Sequence, residues 1–271
     1  MESTADKVII VTGASSGIGL YIADKAMELG MKVVMAARNM EAMREHTLAK
    51  NWKSDRYLLV KTDVSSEDDC RSLINKTTEK FGAIDILVNN AGISMRALFA
   101  DLELSVMKKL MDVNFWGTVY CTHYALPWLL KRKGSVVGVS SIAGHKGLPA
   151  RTGYSASKFA MHGFLESLRI ENLKTGLHVL LACPGFTASN IRKTALDSRG
   201  EQQGESPRDE KSMMQPQKVA ELILKATLKR KNNLTLTAQG KTTVWLNKLF
   251  PSLADKLVYN HMAKEPDSPF K

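Results

Sequence analysis

Short β-branched runs recur through this chain at the rhythm of a parallel sheet, and that recurrence constrains the fold more than any other feature. The first run, Val8-Ile9-Ile10-Val11, is too short for a helix and is closed by glycine, so residues 7–12 read as a fully buried strand. A helix over 21–29 ends near Gly30, and the alternation repeats: strand 32–37, helix 40–50, strand 57–62. Over 68–81 the apolar positions Cys70, Leu73, Ile74 and Phe81 fall at helical spacing, and strand 84–89 follows. Two long helices, 103–131 and 154–173, flank strand 135–140; strand 178–183, helix 218–229 and strand 234–237 complete the series. Strands and helices in this order imply parallel βαβ crossovers, hence an α/β fold with a doubly wound parallel sheet of about seven strands and helices on both faces. Ligands of such sheets gather at the carboxyl ends of the strands.

A length of 271 residues suits one large α/β domain or two smaller ones, and 44% apolar residues supply enough side chains for a core. The formal charge of +11 would attract phosphates, anionic lipid or an acidic partner, but the cations are scattered over most of the chain. With no zinc-finger spacing and no RNA-binding motif carrying interleaved aromatics, the sequence points away from nucleic acid. Cys70, Cys121 and Cys183 stand far apart, which fits neither a disulfide framework nor a clustered metal site, and they read as buried thiols in a reducing compartment. No metal ligand set is apparent. Residues 1–7 form a short polar lead without a secretory signal, and no apolar run is long enough to span a bilayer. The expectation is a cytoplasmic chain, soluble or at most peripheral to a membrane.

Two clusters carry chemistry. Thr12-Gly13-Ala14-Ser15-Ser16-Gly17-Ile18-Gly19 leads from the first strand into the first helix. Its glycines allow the backbone to approach a pyrophosphate, and the helix N-terminus offers unpaired N–H donors. The spacing departs from the Gly-x-Gly-x-x-Gly fingerprint, and a glycine turn of this kind also arises for packing alone. Tyr154 and Lys158 lie four residues apart, on one helical face, thirteen residues after Ser141. A phenol whose proton must be mobile near neutral pH needs a fixed cation beside it. A serine at a strand end and a Tyr/Lys pair are each common in proteins without such chemistry; together with the glycine turn they read as hydride transfer between a nicotinamide and a carbonyl or alcohol.

At these positions the chain resembles the short-chain dehydrogenase/reductase family. The segments that carry the resemblance are Thr12 to Gly19, Asp63-Val64, Asn89-Asn90-Ala91-Gly92, Asn114, Ser141, Tyr154 to Lys158 and Pro184-Gly185, in the family's order and spacing. The resemblance implies a single Rossmann domain over residues 1–240 that holds both cofactor and catalytic sites. It implies Tyr154 as acid/base, Lys158 as the cation that favours phenolate and binds the nicotinamide ribose, Ser141 as hydrogen-bond donor to the reacting oxygen, and Asn114 as holder of a relay water. It assigns Gly13, Ser15, Ser16, Gly17, Ile18 and Gly19 to the pyrophosphate turn, Asp63 and Val64 to the adenine, and Asn90, Ala91 and Gly92 to support of the cofactor and the central strand. Pro184, Gly185, Thr187 and Ser189 would run past the nicotinamide, with Ser189 standing where the family often has threonine. A homodimer or homotetramer through the two long helices is also implied.

Cofactor choice turns on Ala37-Arg38 at the end of the second strand. A carboxylate there would serve the ribose hydroxyls of NAD and repel a 2′-phosphate, whereas the Arg38 guanidinium can pair with phosphate, so NADP(H) is expected over NAD(H). The glycine turn lacks the basic residue that many NADP-preferring relatives carry, having Ser16 instead. The polar stretch 198–217 reads as a substrate lid or a disordered insertion. Residues 241–271 form a basic amphipathic extension that could lie on a membrane, cover the cleft, form an interface or simply pack on the domain. The resulting expectation is an NADP(H)-dependent oxidoreductase interconverting a ketone and a secondary alcohol, with a bulky lipid- or steroid-like substrate. Alternatives are a 3-oxoacyl-[acyl-carrier-protein] reductase, whose basic surface would attract an acidic carrier, and a non-catalytic cofactor-binding regulator.

Overall fold

The computed structural model describes residues 4–206, 210 and 213–270. Seven strands form one sheet in the order β3-β2-β1-β4-β5-β6-β7, every neighbouring pair parallel. They are β1 (Val8–Thr12), β2 (Lys32–Ala37), β3 (Tyr57–Lys61), β4 (Ile86–Asn89), β5 (Ser135–Val139), β6 (His178–Cys183) and β7 (Asn233–Thr235). The helices are α1 (Gly17–Glu28), α2 (Met40–Ala49), α3 (Glu67–Phe81), α4 (Leu104–Leu110), α5 (Gly117–Lys131), α6 (Thr152–Glu171), α7 (Pro216–Leu228), α8 (Ala238–Leu249) and α9 (Pro251–Ala263).

The alternation of side chains along each strand supplies two cores. Ile9 and Val11 of β1, with Val33 and Met35 of β2, face Ile22, Ala23 and Ala26 of α1 and Val219, Ile223 and Leu224 of α7. Val8 and Ile10 point the other way, toward Leu73 and Ile74 of α3, Cys121 and Leu129 of α5, and Met161 and Leu165 of α6. A strand buried on both faces needs apolar residues at every position, and β1 is buried throughout. The direction of winding reverses between β1 and β4, which opens a crevice at the carboxyl ends of these strands.

Helix starts show where the fold reserves a place for an anion. α3 is capped in full: Ser66 Oγ accepts from Asp69 N at 3.2 Å, Glu67, Asp68 and Asp69 occupy its first turn, and Gly82 ends it in the left-handed region at φ 70°. α1, beside the crevice, has neither a side-chain cap from Ser16 nor an acidic residue in its first turn. Its leading N–H groups and the positive end of its dipole are left for another partner.

Several elements differ from the sequence expectation. α1 begins at Gly17, a turn before residue 21, because the glycines that read as loop are already helical. The helix expected over 103–131 is interrupted by a π-helical turn, Met111–Trp116, between α4 and α5. β7 covers Asn233–Thr235 rather than 234–237, since Thr237, at φ 65°, already caps α8 through its hydroxyl and Gly240 N at 3.0 Å. Residue 240, drawn as a boundary, falls inside α8. In the stretch 198–217, residues 207–209 and 211–212 lie outside the described residues.

Candidate active site

One cavity of about 930 Å³ opens at the carboxyl ends of the strands. Every residue given a catalytic or cofactor-binding role from the sequence lines it except Gly19 and Asn114, which stand directly behind its wall. Its glycine end is built by close approach. Gly13 is left-handed at φ 64°, and a Cβ there would sit 2.9 Å from Ala91 Cα; a Cβ on Gly19 would sit 2.5 Å from Gly13 O. Asn90 Nδ2 donates to Thr12 O at 2.9 Å, and the N–H groups of Asn90 and Ala91 both donate to Thr12 Oγ1 at 3.0 Å. Thr12 thus ties the β1 turn to the β4 turn, a role its place in the sequence did not announce. The backbone cradle that results, open toward the bare N-terminus of α1, fits a dinucleotide pyrophosphate.

At the far side of this cradle Arg38 is exposed at the end of β2. Asp63 accepts from Ser65 N at 3.0 Å and Ser65 Oγ at 2.7 Å. Burial alone would raise the Asp63 carboxyl, but the Ser65 hydrogen bonds and the Arg38 and Lys109 charges outweigh it and hold the group below its ordinary value. Lys109, from α4, also lines the cavity and is a second cation acting on Asp63 that sequence reading did not place there. Val64 packs against Gly117, where a Cβ would come within 2.8 Å of it.

The opposite end gathers Ser141, Tyr154 and Lys158. Ser141 follows β5 and accepts from Ala143 N at 3.2 Å, which fixes its hydroxyl at the mouth of a short 3₁₀ turn, Ile142–Gly144. α6 carries Tyr154 and Lys158 one turn apart, with Lys158 Nζ 5.8 Å from the Tyr154 ring centroid and donating to Val139 O at 3.1 Å. Burial lowers the Lys158 ammonium to about 8, so it is cationic at neutral pH. Burial acts on the Tyr154 phenol first and raises it; a hydrogen bond with Ser141 and the charges of Arg151 and Arg192 pull it back. The positive charges that act on the phenol are thus those of Arg151 and Arg192, neither of which was singled out in the sequence.

Asn114 sits in the π-helical turn, fully buried. That local widening turns its carboxamide onto the Ile93 backbone: Oδ1 accepts from Ile93 N at 2.8 Å, while Nδ2 donates to Ile93 O at 3.0 Å and to Ser157 Oγ at 2.9 Å. π-turns cluster at functional sites for this reason, since they re-aim one side chain. Beyond β6, Pro184, Gly185, Thr187 and Ser189 line the wall; Arg192 Nη2 donates to Thr187 O at 2.6 Å and pairs with Glu210 at 2.8 Å, and Glu210 also accepts from Ser189 N at 2.9 Å.

The outer wall differs from the lid drawn at 198–217. Among the described residues of that stretch Gln202 lines the cavity, whereas the nearer wall comes from Ser189 to Leu196 and from α8 and α9. Leu246, Leu257, Val258 and Met262 present an apolar roof. It is anchored from below: Lys146 Nζ reaches Asn247 Oδ1 at 2.9 Å and also Asp255, and the buried Arg151 pairs with Glu265 at 2.9 Å. The extension that sequence reading left between membrane, cleft and interface thus covers the cleft.

A profile of the short chain dehydrogenase family matches residues 7–200. An uncharacterized oxidoreductase of Bacillus subtilis is 36% identical over 99% of this chain and 77% of its own length. The 11-beta-hydroxysteroid dehydrogenase A of Arachis hypogaea is 36% identical over 94% of this chain and 75% of its own. A short chain dehydrogenase/reductase from Burkholderia phymatum, crystallised in complex with NAD, shares the fold with a TM-score of 0.82 at 24% identity, over 93% of this chain and 96% of that one. The chain belongs to the short-chain dehydrogenase/reductase family and is an oxidoreductase acting on alcohol or ketone groups with a nicotinamide cofactor. Among the described residues no helix is long and apolar enough to cross a membrane.

Proposed function

We propose that this chain is an NADP(H)-dependent oxidoreductase that interconverts a ketone and a secondary alcohol on a bulky apolar, steroid- or lipid-like substrate. The observation that carries the reading is the single cavity that joins the glycine cradle and Arg38 at one end to the Ser141-bonded Tyr154 phenol and an apolar roof at the other. NADPH, held by the glycine cradle and Arg38, would supply the hydride when bound. The chain's own residues then do the rest: Tyr154 passes its phenol proton to the substrate oxygen, and Ser141 donates a hydrogen bond to the same atom as charge develops there. The Lys158 ammonium, with Arg151 and Arg192, stabilises the phenolate left behind, and the Asn114 carboxamide holds the Ile93 backbone and positions the route by which Lys158 draws a proton from water. Leu246, Leu257, Val258 and Met262 exclude water from the reacting carbonyl.

The substrate class rests on the apolar roof and on the relative in Arachis hypogaea that is named for 11-beta-hydroxysteroids. A panel of steroid ketones, retinals, sugars and 3-oxoacyl thioesters, followed by NADPH absorbance, tests it. Turnover of the steroid ketones with kcat/KM above that of every other class is the expected result. Preference for a carrier-bound 3-oxoacyl thioester would instead favour the carrier reductase, for which the +11 charge speaks. No turnover of any carbonyl would favour the regulator.

Two surface features support an assembly. Trp116, Phe159 and Ile170, on the π-turn and α6, are exposed apolar residues suited to a homodimer or homotetramer built on the long helices. On the outer side of α8 and α9, Trp245, Leu249, Phe250 and Leu253 stand exposed beside Lys241, Lys248 and Lys256, a pattern that supports peripheral contact with an anionic bilayer. Light scattering of the full chain, alone and with anionic vesicles, is expected to show the oligomer and a co-sedimenting fraction that 0.5 M salt (roughly a 4 Å Debye length) reduces; a monomer that ignores the vesicles would remove both assignments.

A further inference from the structure

Behind Ser141, three side chains that this reaction does not use meet at the ends of β5 and β6. His145 follows the Ile142–Gly144 turn, His162 comes from α6, and Cys183 is the last residue of β6. Cys183 Sγ lies 3.4 Å from His145 Nε2 and 3.6 Å from His162 Nε2, and the two imidazole centroids are 4.6 Å apart. One ligand atom from each residue lies within 4.8 Å of the other two. A tetrahedral zinc ion holds thiolate sulfur at about 2.3 Å and imidazole nitrogen at about 2.0–2.1 Å, which sets the sulfur-to-nitrogen edge at about 3.6 Å. The two edges observed match that figure before any ion is added.

We propose that His145, His162 and Cys183 form a binding site for a zinc-class divalent ion, with the fourth position left to solvent on the side of the half-buried His145. The site is pre-shaped. Gly144 lets the His162 ring come close: a Cβ there would stand 2.7 Å from His162 Cε1. Ser140 Oγ is 2.7 Å from His162 Nε2, and an ion bound there would take the Nε2 lone pair in place of that hydrogen bond, leaving the ring proton on Nδ1. His162 is 7% exposed and Cys183 1%, so an ion there would be shielded from competing solvent.

Two of the three ligands are neutral imidazoles, whereas the thiol must lose its proton on ligation. Burial lowers His162 to about 4, with the neighbouring charges of His145 and Lys158 acting the same way; burial also lowers His145, assisted by Lys248 and opposed by Glu166. Both imidazoles are therefore neutral near pH 7. Burial pushes the Cys183 thiol up to about 12, against Lys158, with Glu166 adding to the rise. Binding forms a metal–sulfur bond and breaks the S–H bond, and the proton goes to solvent. One proton is therefore released for each ion taken up.

The test is a titration of the full-length, reduced, metal-free protein with Co²⁺ and then Zn²⁺. One equivalent of Co²⁺ is expected to give sulfur-to-cobalt charge-transfer absorption and the intense visible bands of a four-coordinate site, both bleached by one equivalent of Zn²⁺. Cys183→Ser should abolish the charge-transfer band. His145→Ala, at the ligand nearest solvent and least able to disturb folding, should weaken Co²⁺ binding by more than the ~10–100-fold that an outer partner of a metal site contributes. The only other thiols, Cys70 and Cys121, have sulfurs 3.5 Å apart between α3 and α5, so the Cys70→Ala/Cys121→Ala double variant should leave the spectrum intact. No charge-transfer band with excess Co²⁺, a band that persists in Cys183→Ser, or one lost with Cys70 and Cys121 would each overturn the assignment. The readout is absorption by the ion, so it is independent of whether Tyr154 is the acid/base.

Discussion

Tyr154→Phe is expected to lower kcat by roughly 10²–10⁴-fold, the range a positioned general acid or base contributes, while NADPH still binds. The ring itself is retained in this variant, and it packs against the small cluster of Met95, Ala97, Leu102, Val106, Leu110 and Leu196 that lies outside the sheet. Ser141 keeps its bond from Ala143 N, so the loop after β5 holds its shape. What is lost is one hydroxyl at the point where the proton must leave. Fluorescence titration with NADPH and single-turnover absorbance separate the two effects, and a variant that turns over within a factor of about 10 of the parent would remove Tyr154 from its role. A pH series adds a check. Lys158, lowered to about 8 by burial, carries its charge below that pH and loses it above, so the part of the rate that relies on the ammonium should decline as pH rises through about 8.

The second large effect is on cofactor choice. Arg38→Asp removes a guanidinium that can pair with the 2′-phosphate, an interaction of about 1.5–3 kcal/mol for a charged partner, and puts a like charge in its place. At about 1.4 kcal/mol per tenfold, the ratio of kcat/KM for NADP over NAD should fall by roughly 10²-fold. Arg38 is exposed, so the thermal midpoint should barely move. Lys109 remains in place and sets a floor under the change, which a Lys109→Ala second variant should lower further. Steady-state rates with both cofactors decide the matter; an unaltered ratio would mean that Arg38 does not read the phosphate.

The succession of strands and helices along the chain was legible because each strand writes its burial in its own residues: nothing but apolar positions fills Val8–Val11. The glycine turn and the Tyr154–Lys158 pair were legible because close approach and proton transfer restrict residue type at fixed separation, whereas Asp63, Asn90 and the part given to Ser141 came with the family resemblance; all of them line one cavity. What stayed hidden depends on distant parts of the chain meeting. Arg151 and Arg192 bear on the phenol only because the turn before α6 and the wall after β6 converge there, and an arginine in isolation reads as a solvated cation. The π-turn at Asn114 looks like ordinary helix, since its pattern shifts by a single residue. The His145, His162 and Cys183 cluster carries no ligand spacing at all, which is why counting cysteines found no metal set; sheet order alone brings β5 and β6 side by side. α8 and α9 read as an extension because their inward face, Leu246 and Met262, is no more apolar than the outward one.

The roof has a consequence for how such a protein can diversify. The dinucleotide end of the cavity is assembled from the first half of the chain, whereas the surface that meets the rest of the substrate is supplied by its last three dozen residues and clipped down through Lys146 and Arg151. Changes at Leu246, Leu257 or Met262 lie far from the glycine cradle, and distant sites act nearly independently. New substrate preferences can therefore be written at the carboxyl end of this chain, by selection or by design, without renegotiating the grip on the coenzyme.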